Sequence, residues 1–277
     1  MKITLPQTMP SFEIKEIHGS EELVTKSDRH PVCDVSIDFC EESHKYYLNA
    51  GDVMQTLPSV TQLVGHYTNG FDAEKVAKEQ AKRKGITEAE IKLEWNDAAR
   101  LGTRVHANME HMMNGKPPPI KPDTMRERQI MAAGWDAMQA IKNAGWIPLA
   151  AEKMVLGLAW KLAGTIDAIF RRGNEVMLVD WKTNKAIRKS GFNGAKMLKP
   201  VQWLDDCEFI KYSLQLNLYE RILIMEGYLP SVSETRKQLV HLTPDGFKVI
   251  QVEKMHEAEI IVLDYLVNDW FSEQPPF

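Results

Sequence analysis

The 277-residue sequence is poor in cysteine: it has three, Cys33, Cys40 and Cys207, widely spaced and odd in number. That excludes a disulfide framework or a cysteine metal cage and fits the reduced thiols of a cytoplasmic protein. No apolar run reaches membrane-spanning length, so no membrane partner is expected. The N-terminus, MKITLPQTMPSFEIKEIHGSEEL, lacks a signal-type hydrophobic segment. Its Glu13, Glu16, Glu21 and Glu22 argue against an organellar transit peptide. Internal repeats and low-complexity linkers are also missing. Nor does one charge sign dominate: 34 Lys and Arg against 38 Asp and Glu give a formal net charge of −4. A nucleic-acid partner is therefore not announced globally and must show in local clusters. What is present, 44% hydrophobic and 26% charged residues, is ordinary for a globular chain able to bury a sizeable core.

Residues 32–64 read as short strands and turns, with Pro58-Ser59 ending an extended piece and starting a helix. Helices follow over 72–113, broken near Gly85, and Asn96 or Asp97 is the expected cap of the segment running to Met113. Asn114-Gly115 and the three prolines from Pro117 stop it. A helix at 123–144, strands at 148–156, 161–170 and 175–182, and a long helix from about Leu204 to Glu226 come next. A last hairpin, QLVHLTPDGFKVIQV, and a terminal helix complete the chain. This order predicts an α/β sandwich around a mixed central sheet flanked by helices. Residues 1–57 form a strand-rich extension and 58–277 the main domain.

The stretch GTIDAIFRRGNEVMLVDWKTNK holds two apolar runs around Gly173-Asn174, a pair suited to a tight hairpin. That turn sets Asp167 opposite Asp180 and Thr165 opposite Lys182, with Asp180 and Lys182 on one face. Directly opposed carboxylates repel, and make sense with a divalent cation between them, Mg²⁺ or Mn²⁺. The bland alternative is a surface hairpin with solvated aspartates, but the flanking Ile166, Ile169, Leu178 and Val179 are apolar. Lys182 could position or deprotonate a water, or stabilise charge developing on a phosphate. A one-residue slip of register would separate these groups.

Asp167 followed by Asp180-x-Lys182 resembles the signature of the PD-(D/E)XK nuclease superfamily, and in this form its RecB-like exonuclease branch. Three further segments support the resemblance. GTRVHANME, with His106 and Glu110 four apart on one helical face, is similar to the G-x-x-x-H-x-x-x-E helix of RecB-like nucleases. It implies that His106 is a metal ligand and that Glu110 orients it. YSLQLNLY places Tyr212, Gln215 and Tyr219 in one stripe, with Leu214, Leu218, Ile222 and Met225 as core. It resembles the QxxxY motif, implying that Gln215 and Tyr219 contact the phosphate backbone and brace the lysine. Glu152, in LAAEKMVLG, stands where the family often has a glutamate, and is either catalytic or a solvated strand-end residue. The resemblance covers about residues 44–226, in order; over 184–219 it is close to phage-encoded members, and HKYYLNAGDVMQTLPSVTQLV is also similar to the mitochondrial genome-maintenance exonuclease. Residues 1–43 match nothing nameable. The four clustered cysteines of iron–sulfur relatives are missing, so no iron–sulfur cluster is expected.

Between Trp181 and Leu204 lie Lys182, Lys185, Arg188, Lys189, Lys196 and Lys199, with no acid and with Phe192 and Trp203 interleaved. This reads as a phosphate-tracking surface, to which Tyr212 is added, in preference to a merely solvated loop. The resemblance thus implies a restriction-endonuclease-like core and a metal-dependent DNA exonuclease acting on single strands or ends in replication or recombination. A recombination or replication protein as partner and a cytoplasmic location, that of the bacterial host if phage-encoded, go with it. The helices at 72–94 and the loop at 186–203 are the candidates for an arch over the site. A structure-selective endonuclease and a non-catalytic DNA-binding recombination partner are the alternatives.

Overall fold

The computed structural model describes residues 25–51, 53–230 and 234–265. The glutamates read against a transit peptide lie outside the described residues. Four short strands come first: β1 (Lys26–Arg29), β2 (Ser36–Cys40), β3 (Lys45–Ala50) and β4 (Val53–Leu57), an antiparallel meander in that order. Pro58 stops the last strand and Ser59 opens α1 (Val60–His66) with a capping box to Gln62.

Helix α2 (Ala73–Lys84) runs from an Asp72 cap to Gly85, whose φ of 70° only glycine adopts easily. Helix α3 (Glu88–Met113) then starts at once. The expected cap at Asn96 or Asp97 is not used, because Thr87 and Glu90 form a capping box a full two turns earlier. Both residues sit inside one 26-residue helix. Helix α4 (Met125–Asn143), capped by Thr124, closes the helical part.

The second sheet has five strands in chain order: β5 (Ile147–Gly157), β6 (Leu162–Arg172), β7 (Glu175–Lys182), β8 (Glu234–Thr243) and β9 (Gly246–Gln251). All neighbours are antiparallel except β7 and β8, which are parallel and joined through α5 (Glu208–Met225). The sheet is therefore mixed, and helices cover both faces. On one face α1, α5 and α6 (His256–Tyr265) pack Leu63, Leu214, Leu218, Ile222 and Val262 onto Ile169, Leu178 and Leu239. On the other, α3 and α4 pack Met109, Ile130 and Met138 onto Phe170, Met177 and Val240. Helix α5 begins at Glu208, later than expected, since Lys196 and Asp205 form a β-bridge that holds the preceding residues extended. Met225 is 43% exposed and not core: the buried stripe ends at Leu223. No helix among the described residues is long and apolar enough to cross a membrane.

Candidate metal centre

The hairpin register matches the reading from the turn, running from Arg172–Glu175 to Ala168–Val179. There it stops, one step short of Asp167 and Asp180. Instead of a ladder bond, the Trp181 backbone N–H donates to Asp167 Oδ2 at 2.9 Å. On the other edge of β6, pairing to β5 runs through Ala151–Ala168 and Lys153–Ile166 and skips Glu152 and Asp167 between them. Glu152 has a φ of 47°, costly for a residue with a Cβ.

Side-chain alternation also breaks at this step. Ile166 and Ile169 are three residues apart yet lie in the same core cluster. Ala151 packs toward α3 and α4, whereas Val155, four residues on, packs toward α1 and α5. A regular strand forbids both. The two strands turn over together, so Glu152 and Asp167 stand at the crossover and not within either apolar layer. Like charges directly opposed destabilise a ladder, and here the ladder opens at them.

Helix α3 supplies the third group. His106 Nε2–H donates to the Trp181 carbonyl at 2.9 Å, which turns Nδ1 toward the carboxylates. Nδ1 is 3.6 Å from Asp167 Oδ2 and 3.9 Å from Glu152 Oε1. One ligand atom from each of His106, Glu152 and Asp167 falls within 4.8 Å of the other two. Burial lowers the His106 pKa, but the Asp167 and Glu152 charges outweigh it, and the net shift is upward. A proton thus competes for the site a cation would take. Burial, then repulsion from Asp167, pushes Glu152 up to about 7.

Asp180, expected as a metal ligand, is not in that group. It is 3% exposed, and its Oδ2 lies 2.8 Å from Lys182 Nζ in a buried ion pair. Burial raises its pKa to about 7 even though Lys182 pulls the other way. Lys182 stands 4.1 Å above the Tyr212 ring, and Asn184 Nδ2 donates to the Tyr212 hydroxyl at 2.9 Å. Burial lowers the Lys182 pKa, but Asp180 and Asp167 more than restore it. Lys182 is an ammonium here, which disfavours its reading as a base and leaves positioning and charge stabilisation.

Other expectations need correcting. Glu110 makes no hydrogen bond to His106, whose orientation comes from the Trp181 carbonyl; its charge acts on Glu152 instead. Tyr219 is 3% exposed, under Gly164, where a Cβ would lie 2.6 Å from the ring. It is closed to a phosphate, and Gln215 Nε2 reaches its hydroxyl only at 3.4 Å. The ring that braces Lys182 is Tyr212, which is thereby committed to the lysine. The basic run is largely paired. Arg188 holds Glu208 through two nitrogens, at 3.2 and 2.7 Å, Lys196 holds Asp205 at 2.9 Å, and Lys185 approaches Glu94 at 3.9 Å. Lys189 lies 5.1 Å over the Phe209 ring, and Lys199 is exposed. The acids come from outside the acid-free stretch, from α3 and from residues 205–208. Two lysines of the helical arm are paired too: Lys84 with Glu94, and Lys92 with Glu74.

One neighbour of the cluster has no counterpart in the sequence reading. Tyr46 of β3 shares a 2.8 Å hydrogen bond with Thr165 Oγ1, two residues from Asp167. Burial, opposed by the Thr165 bond and assisted by the Glu152 and Asp167 charges, raises its pKa. The two residues are 119 apart in sequence, beyond the reach of any local pattern.

No family model matches the chain, and no curated protein matches it. Among solved structures, the crystal structure of SSO0001 aligns at 19% identity with a TM-score of 0.28. The alignment covers 55% of this chain and 62% of that one. A superposition at that level transfers nothing to this chain.

Proposed function

We propose that the chain is a metal-dependent deoxyribonuclease of the RecB-like PD-(D/E)XK type, with a restriction-endonuclease-like core, hydrolysing phosphodiesters of single-stranded DNA or DNA ends. One observation carries the reading: three ligand atoms, from His106, Glu152 and Asp167, converge within 4.8 Å beside a buried Asp180–Lys182 ion pair.

The donor set fits a divalent cation. One imidazole nitrogen and two carboxylate oxygens suit Mg²⁺ or Mn²⁺, Mn²⁺ taking the nitrogen more readily. Burial first, and then the neighbouring Asp167 charge, raise the Glu152 pKa, and a cation held between the two carboxylates would oppose both effects. His106, Glu152 and Asp167 would hold it, and when bound it supplies a Lewis acid for the phosphodiester and a more acidic water.

The remaining roles fall to side chains. Trp181 aims two ligands at once, donating its N–H to Asp167 and accepting from His106 with its carbonyl. The Lys182 ammonium, held between Asp180 and the Tyr212 ring, places positive charge where a phosphate develops negative charge. The loop and the helical arm are tied to one another: the Asn69 side chain, just before the arm, donates to the Lys196 carbonyl at 2.7 Å, and Lys185 approaches Glu94 of α3 at 3.9 Å. That tie is consistent with an arch for a strand end.

The test is digestion of end-labelled linear and closed circular DNA, single- and double-stranded, with Mg²⁺ and with EDTA. Metal-dependent loss of linear strands, abolished in Asp167→Ala, is expected. DNA binding without metal-dependent turnover would leave only a non-catalytic partner.

A further inference from the structure

One wall of the carboxylate cluster comes from the four-stranded sheet. Cross-strand pairing aligns Lys26 of β1 with Phe39 of β2, and Phe39 with Tyr46 of β3. Directly paired residues share a face, so the three form one row, about 10 Å long over two inter-strand spacings. One end of the row touches the strand that carries Asp167, and the charge at the other end is felt at the cluster. Tyr46 bonds Thr165 beside Asp167, and the Lys26 charge acts on Glu152. Phe39 lies between them, its ring 4.6 Å from that of Tyr46 and tilted by 37°.

None of the three is sealed. Phe39 and Tyr46 are half-buried at the rim of the core cluster around Ile37 and Leu57. Lys26 is 35% exposed in its side chain, and its ion pair is the 3.5 Å contact with the more exposed Glu41. Such a surface pair is worth little and exchanges readily for a phosphate.

We propose that Lys26, Phe39 and Tyr46 form a nucleotide-binding wall: the rings stack the base next to the scissile phosphate, and Lys26 takes a neighbouring phosphate. The proposal rests on the nuclease reading and narrows its substrate to single-stranded DNA. Aromatic rings interleaved with cations are how single strands are held, since every base has a face to stack. A base must leave its partner to lie on a ring, so paired DNA is disfavoured at this wall.

The experiment is fluorescence anisotropy of a labelled oligothymidine in EDTA, with a single abasic position moved along the strand. On the intact protein, one or two adjacent positions should cost about five- to a hundredfold in affinity, the range of one base stacked on an aromatic ring. Phe39→Leu, which keeps apolar bulk at the rim, should lose a similar factor and should no longer feel the abasic site, a non-additive pair. Lys26→Gln should lower the log–log salt slope by about 0.7. A flat abasic scan, full additivity, or no binding of the oligonucleotide overturns the proposal. The scan uses the unaltered chain, so a misfolded variant cannot hide the answer. Cleavage in Mg²⁺ with a flat scan would remove the wall and keep the nuclease. A position-dependent scan without cleavage would do the reverse.

Discussion

The crossover in the middle of β5 and β6, with the end of β7, and the loop from 183 to 206 are both rich in charge, and they handle it in opposite ways. In the loop, Arg188 and Lys196 find Glu208 and Asp205, and the pKa values of those two acids are lowered, chiefly by these bonds once burial is offset in Glu208. At the crossover and the end of β7, Glu152 and Asp180 are each pushed up to about 7, with burial the leading cause. Satisfied charge of the first kind holds a loop in place. Buried charge of the second kind, even where Lys182 pairs with Asp180, is where perturbed pKa values and function concentrate. A run of like charge in sequence therefore says little until its partners are known.

The comparison is broken most directly by mutation. Asp167→Ala should lower the single-turnover cleavage rate on end-labelled linear DNA by about a thousandfold or more, a few kcal/mol of lost charge stabilisation. Arg188→Gln, on the satisfied side, should change that rate less than about threefold. Equal losses in the two variants would erase the distinction.

Topology of the substrate gives the next effect. Circular single-stranded DNA should resist digestion under conditions that consume the linear form by about tenfold or more in time, a factor equal to roughly 1.4 kcal/mol of barrier. Equal rates by gel assay would replace the exonuclease with an endonuclease.

Stability against pH separates the two regions by sign. Glu152 has a folded pKa of about 7 against an ordinary 4.5, so the folded state holds this proton more tightly. In EDTA its contribution is most favourable below the unfolded value and is lost as pH rises through the folded one. Glu152→Gln should then stabilise the metal-free protein at pH 8, by on the order of 2–3 kcal/mol, and should have little effect near pH 4. Glu208 is shifted downward, so its contribution is present above the ordinary carboxylate range and fades as pH falls through the folded value. Urea unfolding of Glu152→Gln and Glu208→Gln at pH 4 and pH 8 checks the signs. Mg²⁺ should stabilise the wild type at pH 8 and do less for Glu152→Gln.

The smallest effect concerns phosphate contacts in the loop. Lys199→Gln should lower the salt slope of single-strand binding by about 0.7, while Arg188→Gln leaves it unchanged, because Arg188 is already bound to Glu208. Identical slopes would mean that Lys199 is only solvated.

Much of the local structure was legible. Turn chemistry at Gly173-Asn174 sets the β6–β7 register, and that register alone brings Asp167, Asp180 and Lys182 to one end of the hairpin. Capping residues and glycines mark the helices, though Thr87 and Glu90 outrank Asn96 because a complete capping box satisfies two backbone groups and a lone Asn fewer. The aromatic spacing in α5 shows which residues share a stripe, but not that Tyr212 lies under Lys182 while Tyr219 is buried beneath Gly164. Only the tertiary structure decided which carboxylate joins His106. Asp180 is claimed by Lys182 on its own strand, and Glu152 enters because β5 and β6 turn over together at that step. It also decided that the basic run is mostly neutral in effect, and that Tyr46 and Lys26 border the cluster. The physical reason is common to all these cases. Periodicity and turn propensity act over a few residues and are written into the chain. Ion pairing, burial and the bend of a sheet depend on groups distant in sequence, and they exist only once the chain has closed on itself.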